Sequence, residues 1–286
     1  MVKPSRIITE STSDLPAELI QEYNISVIPM SLEIEGETFI DGVTITPDEL
    51  YQRMRTEKIS PKTAQVTPVQ YIERFNQVRQ EGATPVYIGF SSKLSGSFQS
   101  SVVAASEFPA DEVFVLDTKA ASLGEGLLVL EAAKMAKNGL APAEIIEQVA
   151  DKAKSIEHLV IVDTLEYLAR GGRISTTKAF LGNVLNLKPL IHVVDGALIP
   201  FENARTRKKG LKRLVELMQE RGYDLADQIV GISHADNLET AEELKQMITD
   251  QFGTNDFIIS SIGATIGAHT GPGTVALFFY GSTKNS

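Results

Sequence analysis

The chain has no cysteine. That excludes disulfides, thiolate nucleophiles and cysteine-bound metal sites. It also lacks any apolar run near the roughly 18 residues that a membrane span needs. Residues 1–9 carry none of the long apolar region of a secretory signal peptide, so the expected location is the cytoplasm. Positive charge is in deficit: 27 Lys and Arg stand against 37 Asp and Glu, a formal net charge of −10. A chain that grips nucleic acid by its backbone is ordinarily basic, so no nucleic-acid partner is expected. Several catalytic signatures are missing too. There is no GxSxG elbow, no HExxH, and no His and Asp cluster at metal-ligand spacing. His158, His192, His234 and His269 are scattered along the sequence. No metal and no cofactor are expected.

What is present is a globular composition. Of 286 residues, 43% are hydrophobic and 22% charged, enough for one large domain or two ordinary ones. Near-continuous apolar runs at 6–9, 85–90, 113–116, 159–162, 190–194, 229–233, 257–261 and 274–280 read as strands buried on both faces. Asp14 is placed to cap a helix from Leu15. Thr46-Pro47 with Glu49, and Thr67-Pro68 with Gln70, read as capping boxes with proline in the first turn. Ala141-Pro142 opens a further helix reaching about Ser155. Strands alternating with helices in the first half imply a parallel sheet with crossover helices. Residues 25–40 alternate apolar and polar and include Glu35-Gly36, which suggests a hairpin or extended flap. Val194-Asp195-Gly196-Ala197 is a two-residue hairpin signal. The expected fold class is therefore α/β: an N-terminal domain, 1–157, with a mainly parallel sheet flanked by helices, and a C-terminal α+β domain, 158–286. No Pro/Gly/Ser-rich linker separates them, so a broad shared interface is expected.

Four segments could carry chemistry. The loop Phe90-Ser91-Ser92-Lys93-Leu94-Ser95-Gly96-Ser97 follows a buried strand and precedes a helical run, 98–106. Ligands of open parallel sheets lie beyond the carboxyl ends of strands, where helix starts offer unpaired N–H groups. With serine hydroxyls added, the loop suits an anion of low charge, such as a carboxylate; the same serines can simply cap a helix. A second loop, 60–68, brings Thr63 and Gln65 just ahead of the Thr67 cap. A third, 263–273, sets His269 among glycines, which permit close backbone approach. Its spacing matches neither a P-loop nor a dinucleotide fingerprint. In the fourth, 165–175, Gly171-Gly172 reads as a helix stop, and Arg173 can either contact an anion or tie the two domains together. A Ser95–His269 pair with Asp117 or Asp14 could form a hydrolase triad, although spacing alone cannot define one. The basic run Arg205, Arg207, Lys208, Lys209, Lys212 and Arg213 is either a solvated helix face or a docking surface for an acidic partner.

Taken in order, these residues resemble the DegV family. The matching segments are Ser11-Thr12-Ser13-Asp14-Leu15-Pro16, Thr63-Ala64-Gln65, Ser92 through Ser100, Asp117-Thr118-Lys119 with Ser122, Leu168-x-Arg170-Gly171-Gly172-Arg173-Ile174, Lys188-Pro189, and Gly267-x-His269-x-Gly271-Pro272-Gly273. They cover nearly the whole chain. The resemblance implies a long-chain, palmitate-like fatty acid bound between the two domains, its carboxylate held by Thr63, Ser95 and His269. Gln65, Ser92, Gly96, Ser97 and Gly267 would form the supporting loops. It implies a non-catalytic binding subunit that presents the acid to a separate dihydroxyacetone-kinase-like fatty acid kinase for acyl-phosphate formation; the basic run then offers Arg205 and Arg207 as candidate docking residues. It implies no insertion into a membrane, though transient contact is compatible with it. Ala64 stands where the family usually has serine, and Val66 where proline is common. A lipid sensor with no kinase, and an acyl hydrolase or transferase using Ser95 as nucleophile, are the alternative readings.

Overall fold

Strands with buried centres, separated in the first half by helices, set the layering of this chain. The computed structural model describes residues 3–174 and 187–282. The first half runs β1 (Ser5–Glu10), α1 (Ala17–Glu22), β2 (Ser26–Ile28), β3 (Ser31–Ile34), β4 (Glu37–Ile40), α2 (Pro47–Thr56), β5 (Lys62–Ala64), α3 (Pro68–Gln80), β6 (Thr84–Gly89), α4 (Ser97–Ala105), β7 (Phe114–Asp117), α5 (Leu123–Lys137) and α6 (Pro142–Ala153). The second half runs β8 (Ile156–Ile161), α7 (Glu166–Arg170), β9 (Lys188–Val194), β10 (Ala197–Ala204), α8 (Arg207–Arg221), β11 (Val230–His234), α9 (Leu238–Phe252), β12 (Phe257–Ser261), α10 (Ala264–Thr270) and β13 (Val275–Tyr280).

The first sheet is parallel throughout, in the order β2-β1-β6-β7. Both capping boxes form: the Thr46 and Thr67 N–H groups donate to Glu49 and Gln70, and each threonine hydroxyl accepts the N–H three residues on. The expected Asp14 cap does not. Helix α1 starts at Ala17 behind Pro16 without a side-chain cap. Asp14 instead closes a 3-10 turn, Ser11–Ser13, at positive φ, because its carboxyl is drawn into a buried cluster with Ser122 and the Gly263 N–H. The 25–40 stretch divides. Its first strand joins the parallel sheet, and the rest forms the β3–β4 hairpin through Glu35-Gly36, both at positive φ. Strand β5 pairs with the other edge of β3, so Thr63 lies opposite Leu32 in a three-stranded sheet.

The second sheet is mixed, in the order β10-β9-β8-β13-β11-β12. Asp195 and Gly196, at positive φ, make the β9–β10 hairpin turn. Residue 157 lies inside β8. Alternation splits this sheet by face. Leu159, Ile161, Leu190, Val275, Leu277 and Phe279 pack against Leu211, Leu214 and Met218 of α8 and Leu244 and Ile248 of α9. Val160, Ile191, Ala276 and Phe278 point the other way, into one cluster with Leu123, Leu127 and Leu128 of α5 and Ile7, Val86 and Ile88 of the first sheet. Helix α5 is buried around most of its first ten residues, as a helix sandwiched between two sheets must be. Among the described residues, no helix is long and apolar enough to cross a membrane.

Candidate functional site

The inner face of the second sheet is not filled completely. Beyond α5 it opens into a cavity with about 820 Å³ of empty space, including the part open to solvent. Strand register gives the cavity a direction. Along β13 it is lined by Ala276 and then Phe278, which pair with Val160 and His158 of β8. Ile191 and Val193 of β9 and Leu198 of β10 continue the apolar wall. At the other end, past the C-terminus of β8 and before the start of β13, stand Thr63, Gln65, Ser95, Arg173, His269, Thr270 and Thr274. The wall is greasy and one end is polar.

That polar end is built by three segments. Strand β5 supplies Thr63, whose hydroxyl lies 2.7 Å from Nε2 of His269. His269 comes from the last turn of α10, and its ring rests on Gly171: a Cβ there would lie 2.1 Å from Nδ1, so only glycine allows this approach. The loop after β6 supplies Ser95. Its hydroxyl donates to Oγ of Ser97 at 3.0 Å, and Ser97 Oγ accepts the Val66 N–H at 3.1 Å. Ser97 thereby ties the Thr63 loop to the Ser95 loop. Gln65 Nε2 donates to Ser100 at 3.0 Å, and Gly96 leaves room for the Gln65 amide. Gly267 has another function from that expected: it admits the ring of Tyr51, whose hydroxyl donates to the Ile262 carbonyl at 2.7 Å. Ser92 is exposed and donates to Asp117.

Burial, reinforced by the Arg173 guanidinium, pushes the His269 pKa down to about 4. His269 is therefore neutral at pH 7, and Arg173 is the fixed positive charge at this end. Arg173 donates to the carbonyls of Leu94 at 3.1 Å and Gly171 at 2.6 Å, so it both joins the two halves and lines the cavity. Ser175, the last residue of its segment, lies outside the described residues.

The glycine-rich segment holds a helix where the sequence suggested only a loop. Asp41 explains it: its carboxylate accepts the N–H groups of Ala264 and Thr265 at 2.9 and 3.1 Å, satisfying the start of α10. Asp14 accepts the neighbouring Gly263 N–H at 2.8 Å. Burial, with Asp41 nearby, lifts the Asp14 pKa to about 8. Two further buried acids, Glu10 and Glu125, sit below the serine loop, with pKa values raised by burial and held by Tyr71, Thr9 and Thr12.

The imagined triad does not assemble. Asp14 serves Ser122 and Gly263, Asp117 serves Ser92 and the Lys119 N–H, and the hydroxyl bonded to His269 is that of Thr63. Arg207 also differs from a free docking cation. It is half-buried, pairing with Asp163 and donating to the Gly273 carbonyl at 2.7 Å; Arg205 is exposed. The sequence reading passed over His158, Val160, Ile191, Val193, Ala276 and Phe278. Their signal was spacing of two along β8, β9 and β13, masked by equally apolar neighbours that face the opposite side.

Fold and cavity together define a class: an α/β protein of one parallel and one mixed sheet, with a small three-stranded sheet beside them and an apolar cavity closed by a polar end. The DegV family model matches residues 4–282, and the chain belongs to the DegV family. It is 39% identical over 285 residues to a DegV domain-containing protein of Clostridium perfringens, covering 97% of this chain and 98% of that one. A solved structure concerning fatty acid binding of a DegV family protein from Thermus thermophilus superposes with a TM-score of 0.89 at 30% identity, covering 98% and 100% of the two chains. DegV of Bacillus subtilis, a fatty acid binding protein, gives 0.87 at 28% identity, covering 98% and 100%.

Proposed function

We propose that this chain binds a long-chain fatty acid, with the acyl tail along the inner face of the second sheet and the carboxylate at Thr63, Ser95 and His269. The carrying observation is one cavity that joins an apolar sheet face to a cluster of neutral donors beside Arg173. Physical chemistry divides the work. Each buried methylene contributes about 0.8 kcal/mol, so about 14 of them offer on the order of 10 kcal/mol before association costs. The tail supplies affinity. The carboxylate, taken out of water, must be hydrogen-bonded to stay ionised. Thr63 and Ser95 each have one hydroxyl proton to give: with the single N–H of neutral His269 donating to Thr63, the Thr63 proton is left for the carboxylate, Ser95 turns its own away from Ser97, and Arg173 balances the charge. The whole-chain likeness to fatty-acid-binding proteins supports the same reading.

The chain acts, on this proposal, as a binding subunit without chemistry of its own. It encloses the tail between an N-terminal unit ending near residue 157 and a C-terminal unit, and presents the carboxylate to a separate ATP-using, dihydroxyacetone-kinase-like kinase. Gln65 and Gly96, exposed beside Thr63 and Ser95, support access to the carboxylate from outside. Exposed Arg205 is the remaining docking candidate. Mass spectrometry of lipid released from the purified protein tests the first part: a stoichiometric long-chain acid is expected, and a preparation that neither carries nor takes up any fatty acid contradicts it. Arg205→Glu tests the second. Acyl-phosphate formation with the kinase should slow while lipid binding is unchanged; normal transfer removes Arg205 from the docking surface.

A further inference from the structure

The cavity has a far end, and its construction is specific. His158 stands three residues into β8, paired with Phe278 of β13, on the side away from His269. A second cleft begins on the other side of the same imidazole. That cleft, with about 1460 Å³ of empty space including open solvent, shares His158 and Val193 with the cavity and sets charged groups such as Lys119, Glu157, Asp195 and Arg221 among apolar ones such as Ile156 and Val194. One side chain from each of two adjacent strands thus separates a greasy space from a wet one that carries charged groups.

Resting on the fatty-acid reading above, we infer that His158, with Val193, is the end wall that limits the length of acyl chain this protein accepts. The wall is held on several sides. Nε2 of His158 accepts the Ala121 N–H at 3.2 Å. The ring meets Phe278 edge-on, with centroids 5.3 Å apart. Gly124 lies flat against it, since a Cβ there would come within 2.2 Å of Nε2. The side chain is 3% exposed. Burial lowers its pKa to about 4, so a neutral ring, not a cation, faces the tail.

The consequence is a cutoff. Methylenes added to a short acid enter apolar space and strengthen binding until the terminal methyl meets the ring. Further carbons must displace an imidazole gripped by Ala121 and Gly124, or fold back. If they passed it they would enter the solvent-open cleft, where charged groups interrupt the apolar lining and only part of the roughly 0.8 kcal/mol per buried methylene is available.

The test uses delipidated full-length protein and a saturated series: palmitate, stearate, arachidate and behenate, each competed against a fluorescent fatty acid. The wild type should bind palmitate and discriminate against behenate. In His158→Ala the behenate-to-palmitate affinity ratio should rise at least about tenfold, roughly what two more buried methylenes supply. His158→Phe, which keeps the wall but not the hydrogen bond to Ala121, should retain the wild-type ratio. Val193→Ala removes no hydrogen bond and should shift the ratio in the same direction as His158→Ala, which keeps the inference testable should His158→Ala fail to fold. Ratios unchanged in His158→Ala and Val193→Ala, in protein that binds palmitate, overturn the end-wall assignment. So does a His158→Phe ratio as relaxed as that of His158→Ala. A wild type that binds none of the four acids overturns the fatty-acid reading itself.

Discussion

The two faces of the second sheet are built from the same residue types and end in opposite conditions. On the outer face, Leu159, Ile161, Leu277 and Phe279 are covered by helices α8 and α9 and fully packed. On the inner face, Val160, Ile191, Ala276 and Phe278 are covered partly by α5 and partly by strand β5 with Thr63 and the loops that carry Ser95 and Arg173. Apolar patterning alone therefore does not distinguish core from binding site. What distinguishes them is the cover: the long helices α8 and α9 fill one face, whereas the short α10, strand β5 and the polar loops leave space on the other and set donors at its edge.

The largest expected effect separates neighbouring residues on the two faces. Leu277→Ala, on the outer face, should cost about 2–5 kcal/mol in denaturant unfolding, through lost transfer energy and a cavity. Ala276→Phe, one residue away and facing inward, should cost far less, because space already exists, yet abolish fatty-acid binding. Equal destabilisation by the two would break the comparison. Next comes the polar end. Thr63→Ala with Ser95→Ala should weaken fatty-acid affinity on the order of a hundredfold or more, since each hydrogen bond to a charged group contributes about 1.5–3 kcal/mol. Folded protein that retains lipid as the wild type does would refute the carboxylate assignment.

Much of the fold was readable because local signals agreed with the tertiary result. The apolar runs became strands, the Thr46 and Thr67 boxes formed, and Asp195-Gly196 made its turn. The failures share a physical cause: partners distant in sequence. Helix α10 runs through a glycine- and threonine-containing segment of poor helix propensity, and Asp41, more than 200 residues earlier, accepts its first N–H groups. Asp14 looked like a cap because it precedes an apolar run, but Ser122 and Gly263 claim its carboxyl. Arg207 looked like one of a free basic series until Asp163 and the Gly273 carbonyl met it. Thr63, Ser95 and His269, which the structure brings together at the polar end of the cavity, were legible as motif residues. The apolar wall of the cavity was not, since choosing one face of a strand apolar on both sides requires knowing what covers each.

Acidity sharpens the comparison further. Asp14 titrates near pH 8 when folded, against 3.8 for an ordinary aspartate. The folded state holds this proton more tightly than the unfolded chain. The resulting stabilisation is complete below about pH 4 and is lost as pH rises through about 8. Asp14→Asn should flatten this part of the stability profile, as followed by thermal melts across that range. A slope unchanged by the substitution would show that another group carries it. The smallest effect is a control away from both faces. Thr46→Ala removes the α2 cap and should cost about 1 kcal/mol with no change in lipid affinity; altered affinity would mean that the site depends on helix ends far from it.

The most direct measurement is a crystal structure of the protein with palmitate. The account predicts a carboxylate within hydrogen-bonding distance of the Thr63 and Ser95 hydroxyls, and a tail running past Val160, Ile191 and Ala276 toward His158. A carboxylate at the His158 end, or a chain lying outside the inner face of the second sheet, would contradict it.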